Sequence, residues 1–436
     1  MINLPETGQK RVVIIGAGFA GISLAQKLCK QDYQVVLIDK NNYHQFQPLF
    51  YQVAMSGLEP SSIAFPLRKI FQRQPNVFIR VTEVERADTV RKQLYTSYGV
   101  VNYDYLVIAI GADTNFYGNE NIKKHAIPMK SVSEALTLRN RILEDYEHAL
   151  TVPDYDERQQ LMDIVIVGGG ATGVEVAGAL AEMKQYILPK DYHEMNYKEI
   201  DIYLIQSADQ LLKGMSDNAS QGAEKFLENL GVIIKKNTRV SDFDGRTVFM
   251  KDGSQIATNK MIWAAGIIGN TIEGFPEESI VWGNRFKVNR YCQVEGVEDV
   301  FAIGDIAYME EEEFPKGHPQ VAQVAMQQGK WLAKNLSKFE KEESPKQFSY
   351  KDLGSMATIG RNRAVVDLPS FKFKGFFAWL VWLFVHLFQI IGVKNKVFVF
   401  INWVWNYFTY DQSLRLIIKT KDKKSVDRQT TQENNS

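Results

Sequence analysis

Residues 12–28 read VVIIGAGFAGISLAQKL, and residues 164–180 read IVIVGGGATGVEVAGAL. Each stretch is a run of β-branched apolar residues, then glycines at G-x-G-x-x-G spacing, then a segment whose apolar residues recur at helical intervals. That is the strand–turn–helix opening of a dinucleotide-binding unit, and its return 152 residues later, about one domain length, predicts two such units. Three further apolar runs end at a glycine turn: DYLVIAIGA (104–112), KMIWAAGI (260–267) and DVFAIGDI (299–306). Runs with few polar interruptions suit strands buried on both faces of a mainly parallel sheet, with ligands beyond their carboxyl ends. The last run follows the second motif, so the first domain is expected to be split. Residues 1–120 and 287–365 would form it, with a second domain, 121–286, inserted. The fold class is α/β, with two Rossmann-like domains.

The chemistry of the first motif follows from its glycines. Gly16, Gly18 and Gly21 permit a tight turn and close approach of backbone to a pyrophosphate resting on the helix N-terminus, so Ala17, Phe19 and Ala20 become cofactor neighbours too. Asp39 ends the next strand, VVLID, 23 residues after Gly16, where a carboxylate accepts hydrogen bonds from a ribose. In the second motif Gly168, Gly170 and Gly173 repeat the arrangement around Thr172. Glu175 lies in the first helical turn, either as an acid favoured by the helix dipole or as a participant in chemistry. The matching strand, DIYLIQSAD, ends in Gln206 rather than an acid, which removes the charge that would repel a 2′-phosphate. Ala265 and Gly266, ending the 260–267 run, are expected beside the same nucleotide.

Composition narrows the rest. The 436 residues carry 51 Lys+Arg and 51 Asp+Glu, a net charge of zero, which argues against a nucleic-acid binder. The two cysteines, Cys29 and Cys292, form neither a disulfide scaffold nor a redox dithiol motif. The six histidines have no ligand spacing, so no metal is implied. The N-terminus MINLPETGQK has no apolar core and no cleavage site, so the chain is expected to stay in the cytoplasm where it is made. From Phe371 the character changes: 376–392 is almost wholly apolar, and four of the seven tryptophans fall between 379 and 405. Seventeen residues is near the lower limit of about 17–25 for a spanning helix. The second run carries one polar stripe, Asn395, Asn402, Asn406 and Thr409, so helices lying flat in a membrane interface are expected, a dimerisation core being the alternative. Residues 366–418 would be the anchoring region and 419–436 a disordered tail.

Over nearly its whole length the sequence resembles the FAD-dependent pyridine nucleotide reductases and, among them, the type II NADH:quinone oxidoreductases. The motifs are those above together with NNYHQFQPLFYQVA (41–54), PQVAQVAMQQG (319–329) and GSMATIGRNRAVVDL (354–368). The resemblance implies non-covalent FAD held by the first motif with Asp39, Lys40, Val84, Ala109, Gly111, Gly304 and Asp305, and with Ala322 and Gln323 against the flavin. It implies NADH on the second motif, with Gln206 leaving NADPH open as a second donor. It implies a membrane quinone, menaquinone or ubiquinone, near Gln323, Gln327, Ile359 and Gly360, and a catalytic Glu175 that positions nicotinamide or relays protons. Lys374 is either a pocket contact or an ordinary membrane-surface lysine. The expected protein is a non-pumping respiratory enzyme on the cytoplasmic face of the cell inner membrane, touching lipid and forming a homodimer through its C-terminal region. A sulfide:quinone oxidoreductase shares the scaffold but needs active-site cysteines. A flavin redox sensor without turnover would leave the AQxxxQQ segment and the Trp-rich tail unexplained.

Overall fold

The structure is a computed structural model that describes residues 2–341, 343, 345–410 and 414–418; the tail expected to be disordered lies outside them. The first motif folds as β1 (Arg11–Ile15) and α1 (Phe19–Leu28), followed by β2 (Gln34–Asp39), β3 (Val77–Val81) and β4 (Tyr105–Ile108). Helix α2 (Val132–Ala149) leads to the second motif, β5 (Ile164–Val167) and α3 (Ala171–Glu182), then β6 (Ile202–Ile205), α4 (Asp217–Asn229), β7 (Ile233–Lys235) and β8 (Met261–Trp263). Strand β9 (Val300–Ala302) and helix α5 (Ala322–Glu340) follow. The chain ends in β10 (Ser355–Thr358), β11 (Ala364–Asp367), β12 (Lys372–Lys374), α6 (Phe376–Gln389) and α7 (Val393–Thr409).

Two parallel five-stranded sheets result. The first has the order β9-β4-β1-β2-β3, and β9 completes it by placing Val300 opposite Leu106. The chain therefore does return after the second motif to finish the first sheet. The second sheet runs from the short strand Ile127–Pro128 through β8, β5, β6 and β7. Val12, Val13 and Ile14 of β1 and Ile164, Val165 and Ile166 of β5 have no exposed surface, which is why both runs exclude polar residues. Helices α1 and α3 begin at Gly18 and Gly170 with no side-chain cap. By contrast, Ser131 caps α2 by accepting from the Glu134 amide. Uncapped first-turn N–H groups at the carboxyl end of a sheet are where an anion completes the hydrogen bonding.

The C-terminal sheet corrects a domain boundary. Strands β10, β11 and β12 are antiparallel, Ser355 opposite Asp367 and Val365 opposite Lys374, so a division at 365 would cut through β11. This sheet and the two last helices share one core with the second motif: Ala357, Ile359, Val365, Val366, Ala378, Trp382 and Val399 are buried together with Val174 and Ala177.

Helices α6 and α7, about 21 and 26 Å long at 1.5 Å per residue, fall short of the roughly 30 Å hydrocarbon core. Among the described residues no helix is long and apolar enough to cross a membrane. Their outward faces carry Phe377, Phe384, Phe388, Phe398, Ile401 and Phe408, all more than half exposed. The polar stripe of α7 faces the protein: Asn395 donates to the Ser61 carbonyl at 2.9 Å and Asn406 to that of Gly57 at 3.3 Å. Trp403 adds a bond to Gln52 at 2.7 Å. Arg361 closes the far end, donating to the carbonyls of Asn406 and Tyr407 at 2.6 and 2.9 Å, and its own backbone N–H donates to Glu182 at the end of α3. A cation on the last carbonyls of a helix satisfies them and opposes the dipole.

Candidate active site

A cleft of about 800 Å³ opens at the carboxyl ends of the first sheet. Gly16, Ala17, Gly18, Phe19, Ala20, Asp39, Lys40, Val84, Ala109, Gly111, Gly304, Asp305 and Ala322 all line it, and Thr172 reaches it from the second motif. Gly16 has φ +98°, and a Cβ there would sit 2.4 Å from the Ala109 carbonyl oxygen, so only glycine fits. Gly21 lies behind the cleft; a Cβ there would meet the Gly16 oxygen at 1.9 Å, and its absence lets α1 close on the turn. Asp39 accepts from the amides of Ala17 and Asn41, both at 2.7 Å. It thereby shapes the turn, and each oxygen retains a lone pair for a ribose hydroxyl. Burial pushes the Asp39 carboxyl up from its ordinary range, while those two amides and Lys40 pull it down. Asp305 is likewise raised by burial, opposed by Lys130 and Arg285. A side-chain-free turn, an uncapped helix and half-buried carboxyls along one cleft fit a flavin nucleotide.

Gln328, a residue the sequence reading passed over, holds this cleft together. It is fully buried and accepts from the Gly304 amide at 2.7 Å. Gln328→Leu leaves that buried N–H unpaired, which costs roughly 1–3 kcal/mol. The expected result is a lower thermal midpoint and loss of bound flavin on gel filtration, whereas Gln328→Glu, which keeps an acceptor, retains more.

The second motif has the same steric logic. Gly168 has φ +114° with Ala264 oxygen 2.4 Å from an ideal Cβ. Gln206 accepts from Gly169 N–H at 3.2 Å and donates to the Gln210 carbonyl at 3.3 Å, so a neutral amide, already engaged, stands where a carboxylate would discriminate. The antiparallel pair Ala112–Thr114 and Ile267–Gly269 ties the ends of β4 and β8 together, which sets Ala265 and Gly266 beside the first cleft. Tyr117, also unforeseen, donates to the Ala265 carbonyl at 2.9 Å over Gly266.

Glu175 lies one turn beyond Thr172, with only 9% of its surface exposed. It accepts weakly from the Thr358 amide at 3.4 Å. Burial pushes its carboxyl up to about 8. The Thr358 amide and the Trp382 indole act in the opposite sense, the indole without a hydrogen bond of ordinary geometry. A helix-dipole role needs an ionised acid; this one holds a proton at neutral pH.

Four expected contacts are placed otherwise. Gln323 donates to the Gly354 carbonyl at 2.7 Å and accepts from Leu353 N–H, while Gln327 exchanges two bonds with the Lys351 backbone at 2.8 and 3.0 Å. Both amides strap the segment 351–354 to α5 and neither lines the cleft. Ile359 is fully buried against Gly178, and Gly360, with φ +74°, sits on Glu182. The four therefore do not form one open quinone surface. Lys374 overlies Gly222 on α4 and donates to Asn218 at 2.8 Å, away from the cleft.

The family described as pyridine nucleotide-disulphide oxidoreductase matches residues 10–329, and that described as NDH2 C-terminal domain matches 353–410. The type II NADH:quinone oxidoreductase NdhA of Mycobacterium tuberculosis is 35% identical over 413 residues, covering 91% of this chain and 87% of that protein. The chain belongs to the type II NADH:quinone oxidoreductases. Among solved structures, NDH2 of Plasmodium falciparum in complex with NADH superposes with a TM-score of 0.85 at 22% identity, over 94% of this chain and 100% of that one. The sulfide:quinone oxidoreductase of Aquifex aeolicus has the same fold at lower similarity, with a TM-score of 0.70 and 18% identity over 96% of this chain and 95% of that one. In this chain Cys29 ends α1 while Cys292 is buried, both as free thiols.

Proposed function

We propose that this NADH:quinone oxidoreductase holds FAD non-covalently in the first cleft and takes NADH, with NADPH as a second donor, on the second motif. Its acceptor is a membrane quinone, menaquinone or ubiquinone. It works without proton pumping, as a peripheral homodimer joined through its C-terminal region on the cytoplasmic face of the cell inner membrane, with lipid against the phenylalanines of α6 and α7. The first domain comprises 1–120 and 287 to about 353, and the second 121–286. The observation that carries the reading is Thr172: a residue of the second glycine motif lines the cleft of the first, so the two nucleotides converge.

A bound flavin supplies acceptance of hydride from nicotinamide and delivery of two electrons to quinone. The chain supplies position and charge. The Gly16 turn and the α1 amides take the pyrophosphate, Asp39 the ribose, and Gln328 with Gln320 keep Gly304 and Asp305 in place. The Gly168 turn and the start of α3 set the second nucleotide against the same cleft. Glu175 keeps a proton one turn away, where quinone reduction consumes one.

Anaerobic addition of NADH to the purified protein should bleach the flavin, and a soluble quinone should restore its colour. Bleaching by NADPH at a comparable rate would follow from the neutral Gln206. A flavin that bleaches and stays reduced in the presence of quinone would overturn the acceptor assignment; one that never bleaches would overturn the assignment of the second motif.

A further inference from the structure

A chain of aromatic contacts connects the cleft with the outward-facing helices. Phe19, at the cleft, meets Phe46 edge-on with ring centroids 5.8 Å apart, and Phe46 meets His386 of α6 edge-on at 6.4 Å. His386 stacks on Trp382 at 4.0 Å with 24° between the planes, and Trp382 meets Tyr51 at 6.2 Å. One indole thus stacks on His386 and meets Tyr51, and Glu175 lies on its N–H side without a hydrogen bond.

The two ring nitrogens of His386 are not equivalent. Nδ1 lies 2.7 Å from the Trp382 carbonyl, which only accepts, so Nδ1 carries the hydrogen. That leaves Nε2 with its lone pair and no partner among the described residues, on a ring only partly exposed. His44 and His125 likewise set Nδ1 on a backbone carbonyl, that of Ala17 and of Asn121, and His318 binds Glu311 through Nε2; what sets His386 apart is its place in the aromatic chain between the cleft and α6. Burial lowers the His386 imidazolium to about 4, so the ring is neutral. An open acceptor on an aromatic wall, between a proton-holding carboxyl and a helix with an apolar outer face, suits a flat apolar ring carrying a hydroxyl.

We infer that His386 is a quinone-site residue whose Nε2 accepts a hydrogen bond from the hydroxyl formed on the quinone as it is reduced. Quinone takes up two electrons and two protons: the NADH hydride brings two electrons and one proton, and Glu175 gives the second and is reprotonated from water. His386 exchanges no proton and holds the product hydroxyl. The inference rests on quinone being the acceptor.

His386→Phe keeps the stack and deletes the acceptor. Stopped-flow reoxidation by a short-chain quinone should slow about tenfold with a raised quinone KM, while bleaching by NADH keeps the wild-type rate. His386→Gln, which restores an acceptor oxygen, should recover part of the loss, which a purely structural role would not produce. If the Phe variant loses flavin, the comparison passes to His386→Leu, which also lacks an acceptor. Reoxidation and KM equal to wild type in a variant that retains flavin would overturn the inference. Wild-type protein whose reduced flavin ignores quinone would instead overturn the acceptor reading.

Discussion

Glu175→Gln is expected to slow reoxidation of the flavin by quinone roughly 100-fold, the lower end of what a positioned acid contributes, while bleaching by NADH changes only a few-fold. Glutamine fits the same buried space and accepts from the Thr358 amide but has no proton to give. The pH dependence follows from burial. With the folded carboxyl at about 8 against an ordinary 4.5, the acid is protonated through the neutral range. Wild-type reoxidation should therefore decline as pH rises through about 8, and the variant's profile should lack that limb. Stability carries the same signature. Between 4.5 and 8 the folded chain keeps a proton that the unfolded chain has released, so this group's contribution falls as pH rises across that window and levels above it. The variant lacks that fall and should gain on wild type by a few kcal/mol by pH 8. Thermal midpoints measured at pH 5 and pH 8.5 check the sign; a wild type that gains on the variant over that range would refute the buried, protonated state.

Gly168→Ala separates the two nucleotide sites. Its Cβ would meet the Ala264 oxygen at 2.4 Å and the Ala265 nitrogen at 2.8 Å, at a φ that alanine rarely adopts. The loop bearing Ala265 and Gly266 must move away from the cleft, and a displacement of about 1 Å at a reacting pair costs on the order of 100-fold. Bleaching by NADH should fall by that factor. Flavin content, and reoxidation by quinone after chemical reduction with dithionite, should remain near wild type, because the Gly16 turn is untouched. Loss of flavin together with NADH reduction would mean that the second motif supports the first cleft rather than a separate nucleotide.

The glycine turns were legible in the sequence because their requirement is steric and local: a backbone oxygen occupies the place of the side chain at Gly16 and Gly168. The return of the chain to the first sheet was legible because a buried parallel strand has a composition of its own, and VFA at 300–302 has it. The glutamines of α5 were not. Successive helical residues point about 100° apart, so Gln327 straps a surface segment while its neighbour Gln328 is buried under Gly304, and the letters alone do not say which way the helix is turned. Lys374 is a similar case, since only the pairing of β12 with β11 directs it to α4. In α6 the division runs between two apolar faces, one packed on β10 and β11 and one bare, which a contrast of polar with apolar cannot resolve. Trp382 and His386 belong to the inner face.

One core continues from the second glycine helix into α6 and α7 without a seam: Val174, Ala177, Ile359, Trp382 and Val399 are parts of a single packed cluster. The tail is therefore a wall of the catalytic body, not an appendage tethered to it. Cutting the chain before Phe376 would not liberate a water-soluble enzyme but would strip the lining from Glu175 and Tyr51. Removal of α6 and α7 is therefore a change to the core around Glu175 and not only the loss of a surface.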